Sequence, residues 1–379
     1  MYRRRTGGFV NLQDTNNNKN MQIYIRNQRN VVVKPNQETF IPENEDKIVR
    51  IDKKRTTNKN INFQKFYINT PSNLELKLNL RPAKNLITTV GANFYRLDLK
   101  QEGCFNGAIV KSKKSDKIIC VYRNTEQTFQ GCFLNEKYKP IDTSFFDFEM
   151  RDTTDPRLIW TVENKLLLIY SHHFGNHTKE YIAGRIIMDA DKEEFFLGDQ
   201  FRISPENIGS RQKNWVPFLY EDKVHFISEI NSQKIWKMND FEDEAIELVS
   251  KAPWQSNWFM KEFFRGNTNP IRMKDGNFLN TFHTAQIIEN TFFYDNGCYV
   301  FEGKPPFKVL RFPTRTYLPA EAATEPHYRK HGEILCNFPC GMIYDENKDK
   351  IIISYGDNDS AVKIMETDIE NLLNTTEKV

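Results

Sequence analysis

Two carboxylates, Asp155 in Thr154-Asp155-Pro156-Arg157 and Asp359 in Tyr355-Gly356-Asp357-Asn358-Asp359, each stand where an apolar run meets polar turn residues. Asn106, Arg123, Arg185, Lys213 and His283 occupy comparable places. Asn106 opens Asn106-Gly107-Ala108, Arg123 follows Tyr122, and Arg185 closes Ala183-Gly184-Arg185. Lys213 leads into Asn214-Trp215-Val216-Pro217-Phe218, and His283 lies between Phe282 and Thr284. Carboxyl groups exchange protons, and Arg, Lys and His hold anions through charge-assisted hydrogen bonds. Residue type alone leaves each role open. An aspartate before proline also caps a turn, the arginines also suit ion pairs, Lys213 a solvated strand end and His283 a hydrogen-bonded core position. Trp215 reads as core.

Other chemistry-bearing patterns carry less. His172, His173 and His177 cluster, but adjacent strand residues point to opposite faces, so no metal site is expected. Asp189-Ala190-Asp191 and Asp357-Asn358-Asp359 match an Asp-x-Asp pattern that polar turns produce by chance. A Gly-rich phosphate loop, an HExxH helix and a serine elbow are all missing from the sequence.

The elements that must position these residues are short strands. Runs rich in β-branched and aromatic residues recur at 107–110, 117–123, 166–170, 223–228, 278–283 and 351–355. Turn chemistry such as Ser112-Lys113-Lys114-Ser115-Asp116 and Lys274-Asp275-Gly276-Asn277 precedes several of them. A strand-turn-strand unit repeats near 106–124, 155–172, 214–230, 268–284 and 339–359. Five such units at intervals of about 50–60 residues imply a five-bladed β-propeller. Helical periodicity is confined to a short segment at Asp368–Leu373.

The chain has 379 residues, 39% hydrophobic and 27% charged, enough for a sizeable core. With 53 Lys+Arg against 50 Asp+Glu it is too balanced for a dedicated nucleic-acid binder. Its apolar runs are too short to span a bilayer, and the basic start Met1-Tyr2-Arg3-Arg4-Arg5 is followed by no apolar segment, so a cytoplasmic location is expected. Six cysteines are read as reduced and packed in strands. The first sixty residues are rich in Asn, Lys and Arg. Residues 1–90 are expected to be a partly flexible arm carrying short strands at Met21–Ile25 and Val31–Val33, which could link copies of the chain into a homo-oligomer. Residues 91–379 are expected to form the propeller.

Taken in order, Asn106-Gly107-Ala108, Tyr122-Arg123, Asp155-Pro156-Arg157, Lys213-Asn214-Trp215-Val216-Pro217-Phe218, a strand with interior His283, Phe338-Pro339-Cys340-Gly341 and Tyr355-Gly356-Asp357-Asn358-Asp359 resemble glycoside hydrolase family 130 over roughly residues 100–375. The resemblance implies an all-β five-bladed propeller that acts on β-mannosides, mostly by inverting phosphorolysis. It implies Asp155 as the catalytic acid acting through a sugar hydroxyl, and Asn106, Arg123 and Asp359 as the sugar subsite. Arg185, Lys213 and His283 are then the phosphate site. Oligosaccharide or sugar phosphate is the implied partner, inorganic phosphate the co-substrate, and no metal or organic cofactor is needed.

The chain departs from the family pattern at Thr154, where a Glu usually precedes Asp-Pro-Arg, and at Thr284, where a Gly usually follows the His. Asp357 and Asn358 replace small residues and add negative charge beside the implied anion site. These departures leave open a GDP-mannose-dependent transferase in the same cleft, or a glycan-binding propeller without turnover.

Overall fold

In the computed structural model the chain divides into two compact units, residues 1–85 and 86–379. The residues described are 91–99, 101–174, 179–205, 213–239, 246–252, 264–288, 291–326 and 334–379, together with the backbone of six strands before them. Those six strands form two three-stranded antiparallel sheets, one with Met21–Ile25 at its centre and one with Lys47–Asp52 at its centre. The arm's flexibility and self-association concern residues outside the described set.

The described residues of the second unit form five antiparallel meanders. The first runs Phe105–Lys111, Ile118–Arg123, Phe129–Leu134 and Phe146–Asp147. The second begins Thr153–Trp160, Lys165–Phe174, Lys179–Asp189, and the third runs Val216–Tyr220, Lys223–Glu229, Lys234–Met238, Ile246–Lys251. The fourth starts with an interrupted strand, Phe264–Gly266 and Ile271–Arg272, and continues through Phe278–Ile288, Thr291–Phe301 and Val309–Pro313. The fifth comprises Ile334–Asp345, Lys350–Asp357 and Ala361–Asp368. Its outer strand comes from the other end of the unit: Ala92–Arg96 pairs antiparallel with Ala361–Asp368, Tyr95 facing Ile364.

Each sheet buries both faces, which is why its strands read as apolar runs rather than strict alternations. Five clusters fill the spaces between neighbouring sheets. Phe129, Leu158 and Leu168 join the first sheet to the second, and Ile159, Leu167, Trp215 and Phe226 the second to the third. Phe218, Phe278 and Phe301 lie between the third and fourth, and Leu279, Val300 and Ile353 between the fourth and fifth. Ile109, Cys120, Ile343 and Ile364 close the ring from the fifth back to the first. Five meanders with five interfaces, the fourth and fifth also joined by a short parallel pairing of Phe292–Tyr294 with Ile334–Cys336, make a closed five-bladed β-propeller.

The turns follow their chemistry. Positive φ falls on Asn164, Asp222, Gly276 and Asp349 in the hairpins between first and second strands, residue types that tolerate the left-handed region. The expected C-terminal helix is Ile369–Leu373, and the chain then pairs Thr376–Lys378 with the outer strand of the fourth blade. All six cysteines are free and buried. Among the described residues, no helix is long and apolar enough to cross a membrane.

Candidate active site

The first strand is irregular in four of the five blades. The ladder slips between Phe105 and Ala108, between Thr154 and Arg157, and between Pro339 and Gly341. In the fourth blade the strand breaks altogether between Gly266 and Ile271. A slip of this kind bends the strand and re-aims a side chain. The residues at these places are Asn106 with φ 52°, Asp155 with φ 59° and, at the entry to the third blade, Asn214 with φ 62°. Asn and Asp adopt this conformation at lower cost than other side-chain-bearing residues. The turn facing them in the fifth blade supplies Asn358 and Asp359, again with positive φ. One end of the ring is thus lined by amides and carboxylates held off the ladder.

Cations gather beside them. Arg157 is 1% exposed and donates from Nη1 to the Pro156 carbonyl at 2.7 Å and from Nη2 to the Gly266 carbonyl at 3.5 Å. Its guanidinium lies 5.2 Å from the Phe338 ring centroid, and its Nε has no partner. Arg265 is paired across the ladder with His283. Burial holds the His283 imidazole well below its ordinary pKa, and Arg265, Arg157 and Lys213 depress it further. That shared influence places the three cations around one ring. The Asp155 and Asp359 carboxylates converge on the same region: burial pushes the Cys336 thiol and the Tyr294 phenol up, and both aspartates push them further.

His283 is therefore a neutral imidazole near pH 7, not the cation its residue type suggested. It lies 2.6 Å from Asn267 through Nδ1 and stacks on Tyr294 at 5.0 Å. Asn267 donates through Nδ2 to Asn296 Oδ1 at 2.9 Å, so its Oδ1 is left to accept from His283 Nδ1–H. The tautomer that results carries its lone pair on Nε2.

Asn106 is 4% exposed with an unpartnered Oδ1, and Arg123, in register with Phe105, lies 5.2 Å over that ring with its Nε unpartnered. Unpartnered buried polar groups are uncommon and costly, and they accumulate where a ligand completes them. Asp357 differs from the negative charge expected beside the anion site. Fully buried, it accepts from the Thr324 and Glu325 amides and from Lys363 Nζ at 2.6 Å, so its charge is matched and it anchors the loop.

Arg185 is placed elsewhere. It lies within the third strand of the second blade, separated from the Asp155 strand by Lys165–Phe174. Its guanidinium donates to Tyr170 Oη at 3.1 Å, the Gly198 carbonyl at 2.7 Å and Gln200 Oε1 at 3.4 Å, so it clamps its own blade. Trp215 is core, stacked 6.0 Å from Trp236. Residue typing passed over Arg157, Arg265 and Asn267. Arg157 sat inside a motif already singled out, whereas the register opposite His283 that recruits Arg265 is visible only in the fold.

A five-bladed propeller with carboxylates and an arginine-lysine cluster at one end of its ring is the architecture of a glycoside-processing enzyme. The chain belongs to glycoside hydrolase family 130: the family model described as beta-1,4-mannooligosaccharide phosphorylase matches residues 100–378. Among solved structures it is similar to the β-1,2-mannobiose phosphorylase of Listeria innocua bound to β-1,2-mannobiose, at 13% identity, 75% of this chain, 99% of that chain and a TM-score of 0.52. It is also similar to a Parabacteroides distasonis protein assigned as a glycoside hydrolase, at 16% identity, 71% and 87% coverage and a TM-score of 0.51. These identities speak for the fold. No curated protein matches the sequence.

Proposed function

We propose that the chain breaks and makes β-mannosidic bonds by inverting phosphorolysis. A phosphate oxygen attacks the anomeric carbon as the glycosidic C–O bond breaks, giving mannose 1-phosphate and a shortened glycan. The leaving oxygen takes its proton from a mannose hydroxyl, which is reprotonated by Asp155. Lys213, Arg157 and Arg265 hold the phosphate, while Asn106, Arg123 and Asp359 hold the sugar. Neutral His283 offers Nε2 as an acceptor to a hydroxyl. Arg185 leaves the phosphate set because its donors are engaged within its own blade. The reaction needs inorganic phosphate and no other cofactor.

The observation that carries this reading is the convergence of Asp155 and Asp359 with three cations on neighbouring buried groups, His283, Tyr294 and Cys336. An anionic nucleophile needs such a cluster; a water nucleophile needs instead a second carboxylate placed to activate it. The test is phosphate release from mannose 1-phosphate with mannose and N-acetylglucosamine acceptors. Release by the native protein and not by Asp155→Asn supports the proposal. No release by either refutes phosphorolysis, and turnover of GDP-mannose would then identify a sugar-nucleotide transferase.

A further inference from the structure

Thr154, immediately before Asp155, is tied into a second polar chain. Its Oγ1 lies 2.9 Å from His173 Nε2, and His173 Nδ1 lies 3.4 Å from Glu180 Oε2. The three come from successive strands of the second blade, whose ladder sets Thr154 opposite Ser171 and His173 opposite Glu180. Thr154 is 8% exposed, and the His173 and Glu180 side chains 13% and 9%. A carboxylate only accepts, so Glu180 fixes the proton on His173 Nδ1 and leaves Nε2 as an acceptor. The Thr154 hydroxyl must then donate to Nε2, and what it presents beyond the pair is lone pairs alone. Ser171, opposite Thr154 and 1% exposed, carries a hydroxyl oxygen with no partner.

We infer that Glu180, His173 and Thr154 form a positioning relay that makes the Thr154 hydroxyl a fixed acceptor for one sugar hydroxyl beside Asp155, with Ser171 as the adjoining polar contact. The family pattern has a carboxylate at position 154. Here the carboxylate stands one imidazole further away and acts through the threonine. A hydroxyl held in this way discriminates by direction, since it accepts a hydrogen bond from a sugar O–H and cannot donate one to a ring oxygen or an acetyl carbonyl. The inference deepens the mannoside reading and rests on it for the identity of the sugar.

The test uses the full chain labelled with 15N-histidine, with His173 assigned by comparison with His173→Gln. In the unliganded protein at pH 7.5 the His173 signals are expected to report Nδ1–H and an unprotonated Nε2, and mannose is expected to shift Nε2. Thr154→Val should lower kcat/KM for mannose 1-phosphate about tenfold, mainly through KM, and Thr154→Ser should restore most of it. An imidazolium or an Nε2–H tautomer in the native protein overturns the relay, as does an unchanged kcat/KM in Thr154→Val. A native protein that neither binds mannose nor turns over mannose 1-phosphate refutes the mannoside reading, and the tautomer, read without ligand, still decides the relay.

Discussion

Replacing Arg157 by Met should separate what this side chain does for the ligand from what it does for the fold. The guanidinium is 1% exposed, and among the described residues its carbonyl acceptors are those of Pro156 and Gly266, the latter at 3.5 Å, with the Cys340 thiol beside it and its Nε unpartnered. An unmet buried donor costs about 1–3 kcal/mol. Apolar residues of similar volume in place of buried ion pairs are often neutral or stabilising by about 1–4 kcal/mol. Arg157→Met keeps most of the volume against Phe338, so the unliganded protein is expected to unfold at the native temperature or a few degrees above it. Phosphate at about 100 times its Kd should stabilise the native chain by about 2.7 kcal/mol, which is roughly 5 °C for a unit of this size. In the Arg157→Met protein that increment should disappear. Thermal unfolding of both proteins across a phosphate titration, with sulfate as a second anion, gives the comparison. If the variant unfolds far below the native protein, or still gains several degrees from phosphate, Arg157 is a structural clamp and the reasoning fails.

Three further outcomes are expected. Gly356→Ala would bring a Cβ to 2.0 Å from Asn106 Oδ1 and 2.8 Å from its backbone nitrogen, so it should cost about 1–3 kcal/mol in urea unfolding and weaken sugar binding. Lys363→Met strands the fully buried Asp357 carboxylate and should cost about 3–5 kcal/mol, whereas replacing Asp357 and Lys363 together should recover much of that loss. The imidazoles of His172, His225 and His283 are all held below their ordinary pKa by burial, so each takes up its proton at a lower pH in the fold than in the unfolded chain, where protonation comes near pH 6.5. Their contribution is complete above that pH and is lost as the pH falls through it, by at most about 1.4 kcal/mol per unit for each group. Stability measured from pH 8 to pH 5 should therefore decline with acid, and His283→Asn should shallow the slope.

The propeller was legible because each blade's first two strands are rich in apolar residues and are joined by polar turns, four of which place an Asn, Asp or Gly at positive φ. Those five hairpins coincide with the repeat read from sequence. The closing strand Ala92–Arg96 gave no such signal, since it is an edge strand with one partner and mostly exposed side chains. Arg185 was misplaced for a related reason. Ala183-Gly184-Arg185 looks like a strand end, but the strand continues to Asp189 and leaves the arginine in its interior. The charge of His283 was hidden as well, because burial and the neighbouring Arg265, Arg157 and Lys213 keep the imidazole neutral. Residue type reports what a side chain can do, and only its neighbours decide whether it does.

The ring is fastened at its seam by Ala361–Asp368 against Ala92–Arg96, and the last residues, Thr376–Lys378, are sewn onto the fourth blade. On the ribosome, the segment that completes the circle is therefore made after the other four blades. It leaves the ribosome after Asp155, Lys213 and His283, so the earlier blades wait, with the first one's flank open, until that segment has emerged. Asp359 belongs to that final stretch. A chain that ends before this segment would lack both the seam and Asp359, so loss of ring closure and loss of that carboxylate are one event.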